Sequence, residues 1–104
     1  LNAEAINVAI LAASRASDEG RILVVCANAQ RAEAITVPPV CKDRVSVLAV
    51  RETKGLEYDH VVIVDPDEIV SSSVRGVNDL YVAMTRATQR LTIVSRPGST
   101  VIEV

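Results

Sequence analysis

Aromatic side chains are nearly missing from this chain: it has no Trp and no Phe, and its two tyrosines are Tyr58 and Tyr81. A core for 104 residues must therefore be assembled from Val, Ile, Leu and Ala, which with the other apolar types make up 49% of the sequence. The same scarcity excludes a row of side chains on which single-stranded bases could stack. Positive charge is not in excess either. The formal net charge is -2 and the isoelectric point is near 5.3. A domain that held DNA through phosphates alone should carry a basic stripe, so autonomous nucleic-acid binding is not expected. A few contacts to a groove shared with another domain stay compatible with this charge. Cysteine is limited to Cys26 and Cys41, too far apart for a redox pair and without a second pair for zinc. Cys26 lies in an apolar run and reads as a buried free thiol. Two unpaired thiols fit a reducing cytoplasm. His60 is the single histidine, and one imidazole without companion ligands makes no metal centre. No apolar stretch is long enough for a membrane-spanning helix, and no basic-then-apolar leader opens the chain. The first residue is Leu1 rather than Met, which suggests a piece of a longer protein.

What is present is an alternation of Ala-rich segments with short Val/Ile runs, the pattern of an α/β layer structure with a buried parallel sheet. The size predicts one domain over residues 1–104. Residues Asn2 to Ala16 contain no Gly or Pro and repeat Ile6, Ile10 and Ala13 along one face, which predicts a helix. Asp18-Glu19-Gly20 should end it, with Gly20 as a left-handed cap. Arg21 to Ala27 is a continuous apolar run, expected as a strand buried on both faces. Asn28 should cap a short helix over Ala29 to Ile35, stopped by Pro38-Pro39. Further strands are expected over Val45 to Val50, Val61 to Val64 (closed by Asp65-Pro66-Asp67) and Arg90 to Ser95. A helix capped by Asn78 should run from Asp79 to about Thr88. Ser71 to Gly76 reads as an aperiodic loop, Pro97-Gly98 as a turn and Val101 to Val104 as a short edge strand. In such a sheet ligands gather at the carboxyl ends of the strands. Lys54-Gly55 and the start of the Asp79 helix both follow strands and are expected there.

Two charged clusters stand out against this apolar background. Lys54-Gly55-Leu56-Glu57-Tyr58-Asp59 follows one strand, and Leu80-Tyr81-Val82-Ala83-Met84-Thr85-Arg86-Ala87 precedes another. Taken alone, Gly55 permits a tight turn, Lys54 and Glu57 place both signs beside a strand end, and Arg86 suits the carboxyl end of a helix. No phosphate-cradling G-x-x-x-x-G-K-[ST] loop occurs; Lys54-Gly55 has the two residues in the wrong order. Asp65 ends a strand as a magnesium-binding Asp does, but Pro66-Asp67 follows it, and a turn-forming or capping role suits it better. The chain by itself is not expected to hydrolyse ATP.

In order and spacing, the two clusters resemble the last two helicase motifs of the UvrD/Rep branch of superfamily 1, over roughly Arg21 to Ser95. The resemblance implies the C-terminal, second RecA-like domain of an ATP-dependent DNA helicase or translocase. Its fold would be an open, mainly parallel sheet flanked by helices. Such a lobe completes an ATP site held mainly, with its Mg2+, by an N-terminal RecA-like lobe. Carried over by motif, Arg86 in Thr85-Arg86-Ala87 becomes an arginine finger directed at the γ-phosphate. Gly55 and Glu57 become nucleotide contacts, Leu56 packs inward to hold them, and Tyr58 is structural. The family also lines part of the groove for single-stranded DNA, which points to Arg51 and Lys54. Here the chain departs from the pattern. Five residues before Lys54 the family usually has Thr and three before it often His; this chain has Ala49 and Arg51. Ala49 has no hydroxyl to donate to a phosphate, whereas Arg51 can still pair with one. The stretch from Asn28 to Arg44 is too short for the large accessory subdomain inserted in UvrD and Rep. Lys54 to Val70 also resembles the HelD group, UvrD-like ATPases that act on RNA polymerase. A third reading is an α/β interaction module that makes no nucleotide contact, although a scaffold has no need of both charged motifs.

Overall fold

The computed structural model describes residues 3–16 and 19–96. Four strands, β1 (Ile22–Cys26), β2 (Val45–Ala49), β3 (Tyr58–Val64) and β4 (Ala87–Val94), form one sheet in the order β2-β1-β3-β4, with every neighbouring pair parallel. This is the expected α/β, RecA-like architecture. The apolar runs occupy the centre. All of β1 is buried, as is β3 from His60 to Val64, whereas β2 and β4 at the edges are largely half-exposed.

Alternation along the strands divides the core in two. Leu23, Val25, Val61 and Ile63 face one side and pack with Val50, Ile69, Leu80 and Ala83. Ile22, Val24, Cys26, Val62 and Val64 face the other and pack with Ile10, Ala13 and Cys41. Helix α1 (Ala3–Ala16) thus covers one face, while α3 (Pro66–Ser71) and α4 (Gly76–Met84) cover the opposite one. The pairing of β3 with β4 slips between Tyr58 and His60. At that irregularity Tyr58 turns into the cluster opposite Val62, with which it would share a face in a regular strand.

Several local expectations need correction. Helix α1 ends at Ala16, and Gly20 is not left-handed; among the described glycines only Gly55 is, at φ 77°. The end of α1 is held instead by Arg44, which donates to the carbonyls of Ser14 (3.1 Å) and Gly20 (2.9 Å). Helix α2 (Ala29–Ala34) begins as predicted, the Asn28 side chain accepting from Arg31 N, and ends one residue early with Ile35 as its cap; Pro38-Pro39 lead into a 3-10 segment over Pro39–Arg44. That helix and segment fill the β1–β2 connection. Strand β3 starts at Tyr58, not Val61, because Tyr58 N donates to Arg86 O (3.0 Å) and pairs the segment with the start of β4 at Ala87.

Asp65-Pro66-Asp67 does not simply close a strand; it opens α3. Asp65 is the N-cap at φ 55°, accepting from Glu68 N at 3.4 Å, and Pro66 occupies the first turn. Helix α4 starts at Gly76, with Arg75 rather than Asn78 at its cap position. Asn2, Asp18, Pro97-Gly98 and Val101 to Val104 lie outside the described residues, and with them the turn and edge strand expected there.

Candidate functional site

The segment between β2 and β3 must travel the length of the sheet. Ala49 is level with Cys26 at the carboxyl end, while Tyr58 lies two positions before His60, which is level with Ile22 and Val45. Residues 50–57 therefore cross from the carboxyl to the amino edge over the face that carries α3 and α4. Their course is fixed by short-range bonds. Glu52 Oε1 accepts from Ala49 N (3.1 Å), and Thr53, fully buried, donates its hydroxyl to Val50 O (2.8 Å). Leu56 N donates to Thr53 O (3.2 Å). Gly55 supplies the left-handed residue inside this turn. Leu56 packs against the core, leaving Lys54, Gly55 and Glu57 exposed. Tyr58 is buried, and the Arg21 guanidinium lies over its ring, 4.7 Å from the centroid.

Helix α4 runs back beside this segment and delivers Arg86 to the same amino edge. The half-buried Arg86 side chain donates from Nε to Val82 O (2.9 Å), from Nη2 to Thr85 Oγ1 (3.0 Å) and, more weakly, from Nη1 to Leu56 O (3.5 Å). Its own carbonyl accepts from Tyr58 N (3.0 Å). A guanidinium has five N–H groups, so holding these three acceptors leaves two to offer outward. The helix carboxyl end stabilises the cation in this place. Glu57, adjoining Leu56 in sequence, and Arg86 thus share one rim. It is the amino rim of β3 and β4, whereas open sheets commonly gather ligands at the carboxyl rim.

Arg51 and Lys54 belong to a different place. They line a cavity of about 360 Å³ together with Val50, Ser73, Val74, Arg75, Asp79 and Val82. It lies on the carboxyl side, between the segment after β2 and the start of α4, so the expected proximity of Lys54 to that helix start is found here. Arg75 and Asp79 were not candidates from sequence. With Val82 they recur at intervals of four and three residues from the cap position of α4, the spacing of one helical face, and that spacing is the signal that could have found them.

The other titratable groups are structural. Asp65 is bound by Arg96 through Nε (2.9 Å) and Nη2 (2.6 Å) besides capping α3, which is the capping role expected and not a free magnesium ligand. Burial, with Arg90 nearby, lowers the His60 pKa, and His60 Nε2 lies 2.8 Å from Thr92 Oγ1. Burial and the neighbouring Glu68 push the Cys26 thiol up to about 12, so it is no nucleophile. A second cavity, about 430 Å³, opens at the carboxyl ends of β1 and β3. Its lining includes two ion pairs, Arg31–Glu68 at 2.9 Å and Arg96–Asp65 at 2.6 Å. Among the described residues no helix is long and apolar enough to cross a membrane.

No curated protein matches the chain. Residues 44–94, which run from the end of the 3-10 segment through β4 and contain both charged motifs, match the UvrD-like helicase C-terminal domain. With its parallel sheet and its Lys-Gly-Leu-Glu and Thr-Arg-Ala segments joined at one edge, the chain belongs, through residues 44–94, to the UvrD-like helicase C-terminal domain family.

Proposed function

We propose that this helicase motor lobe completes the ATP site of an N-terminal RecA-like lobe of the same protein, with Arg86 as an arginine finger. The carrying observation is the tie between the two motifs: Arg86 donates to Leu56 O and accepts from Tyr58 N, so one rim offers both a cation and the Glu57 carboxylate. Arg suits the role because it stays charged and can bridge two phosphate oxygens. Its position is set before any ligand arrives, by Val82 O and Thr85 Oγ1. Gly55 and Glu57 line the nucleotide cleft, where the left-handed turn at Gly55 directs the exposed Glu57 outward. Magnesium supplies charge neutralisation at the phosphates and is held by the first lobe; the carboxylate of this lobe with a strand-end position, Asp65, is engaged by Arg96. Arg51 and Lys54 contact the backbone of single-stranded DNA. Residues 1–104 act as one motor-lobe unit without a large inserted subdomain, in the cytoplasm.

In the protein carrying both lobes, Arg86→Ala should lower ATP turnover by about 10³-fold or more while leaving nucleotide affinity nearly intact. Steady-state turnover and equilibrium nucleotide binding measure the two separately. Turnover at the wild-type rate would remove the finger assignment.

A second reading within the family is a HelD-like lobe that remodels RNA polymerase. It is favoured by Ala49, which is buried and has no hydroxyl at a position where a strand-tracking relative presents one. Parallel capture of the two-lobed protein on RNA polymerase and on single-stranded DNA distinguishes the readings.

A further inference from the structure

Arg86 is held by a small ring of polar atoms that includes the side chain before it. The Thr85 hydroxyl donates to Val82 O at 2.8 Å and accepts from Arg86 Nη2 at 3.0 Å. Arg86 Nε donates to the same Val82 O at 2.9 Å. One carbonyl and one hydroxyl therefore grip the guanidinium along its Nε–Nη2 edge. A single hydrogen bond lets a planar group swing about it, whereas two bonds along one edge fix the plane. The third contact, from Nη1 to Leu56 O, is long at 3.5 Å and adds little. Thr85 is exposed, so packing does not set its type. A threonine hydroxyl commonly bonds back to a carbonyl of its own helix, and that habit accounts for the bond Thr85 donates. It does not account for the bond Thr85 accepts from Arg86.

We propose that Thr85 is a positioning residue for the arginine finger. Its hydroxyl, oriented by Val82 O, holds the Nε–Nη2 edge of Arg86, and the Nη1–Nη2 edge keeps one N–H on each nitrogen for two phosphate oxygens. This rests on the finger reading of Arg86 and adds a residue that acts only through the guanidinium. The hydroxyl suits the task because giving its proton to Val82 O turns a lone pair to Arg86. An aliphatic side chain of the same shape would leave Arg86 with Val82 O and the long Leu56 contact. The charge would stay and the orientation would be lost, so the loss should fall on turnover and not on nucleotide affinity. The main chain is held without the hydroxyl: Thr85 N donates to Tyr81 O and Arg86 N to Ala83 O, both at 3.1 Å.

The test compares Thr85→Val, Thr85→Ser and Arg86→Ala in the protein carrying both lobes, with steady-state turnover and equilibrium nucleotide binding read separately. Thr85→Val keeps the shape and removes the hydroxyl; it should lower turnover by about 10- to 100-fold with nucleotide affinity nearly unchanged. Thr85→Ser should restore most of the turnover. In the Arg86→Ala background Thr85→Val should cause no further loss, because nothing is left for the hydroxyl to hold. A second readout needs no ATP: the Arg86 Nε–H resonance of the chain should exchange with solvent faster in Thr85→Val than in the wild type or Thr85→Ser. A thermal melt verifies that the variants fold. If Arg86→Ala lowers turnover and Thr85→Val does not, the positioning role is overturned and the finger survives. If Arg86→Ala turns over at the wild-type rate, the finger reading fails and the role of Thr85 falls with it. Equal losses in Thr85→Val and Thr85→Ser, a further loss in the Arg86→Ala background, or unchanged Nε–H exchange would each overturn the proposal.

Discussion

Gly55 sits at φ 77° with no heavy atom within 4 Å of where a Cβ would stand, so its constraint is conformational and not steric. Gly55→Ala should therefore cost about 1–2 kcal/mol, the penalty of the left-handed region for an L-residue, measured as a shift in the urea midpoint. The same substitution should disturb Lys54 and Glu57, whose directions depend on that turn. Cys26 gives a pH signature. Its thiol is raised from 9.0 to about 12, so the neutral form belongs to the folded state. Its contribution is fully present below the unfolded value and is lost as pH rises from about 9 towards 12. Stability should fall in that alkaline window, and Cys26→Ala should flatten the fall in urea titrations across it. His60 acts with the opposite sense: its pKa is lowered, so its contribution holds above 6.5 and is lost as pH falls below that value.

At the scale of elements, α3 and α4 are the pieces that local rules misplace. Asn78 has the chemistry of an N-cap and Gly76 that of a loop, yet the helix starts at Gly76. A Cβ there would overlap the Val70 carbonyl and lie 2.7 Å from that of Ile69. Glycine is required by the close approach of two helices, which no local pattern encodes. Helix propensity alone would make Gly76→Ala stabilising by about 1 kcal/mol. The packing reverses the sign, and a loss of about 1–3 kcal/mol is expected by urea denaturation. Asp65 shows the same dependence on context. Its capping role was legible from Asp65-Pro66, but its left-handed backbone and its pairing with Arg96 were not. Asp65→Asn keeps a capping oxygen and tolerates the backbone, whereas Asp65→Ala should lose about 1 kcal/mol from the cap alone. A melting comparison of the two variants separates cap from charge. Apolar patterning alone starts β3 three residues late, at Val61, because Tyr58-Asp59-His60 is polar. Partners from elsewhere make it a strand: Arg86 O accepts from Tyr58 N, Arg21 N donates to Asp59 Oδ2 (2.7 Å), and Thr92 Oγ1 meets His60 Nε2.

Across the whole molecule, the two charged motifs are joined by two parallel tracks, residues 50–57 and α4. One end of the tracks carries Arg51, Lys54 and Arg75; the other carries Glu57 and Arg86. The chain has no phosphate-cradling loop of its own. The isolated chain should accordingly show no ATP turnover above background, and robust phosphate release by it would contradict the half-site reading.

The α/β class, the buried central strands and the helicase-family motifs are legible in the residues alone. Periodicity, apolar runs and short motifs are local properties that survive without coordinates. Long-range packing sets which edge of the sheet each motif occupies and where α4 begins. It also brought Arg75 to Arg51 and Lys54. Each of these depends on contacts between residues distant in the chain, where a carbonyl from one element meets a glycine or a guanidinium from another.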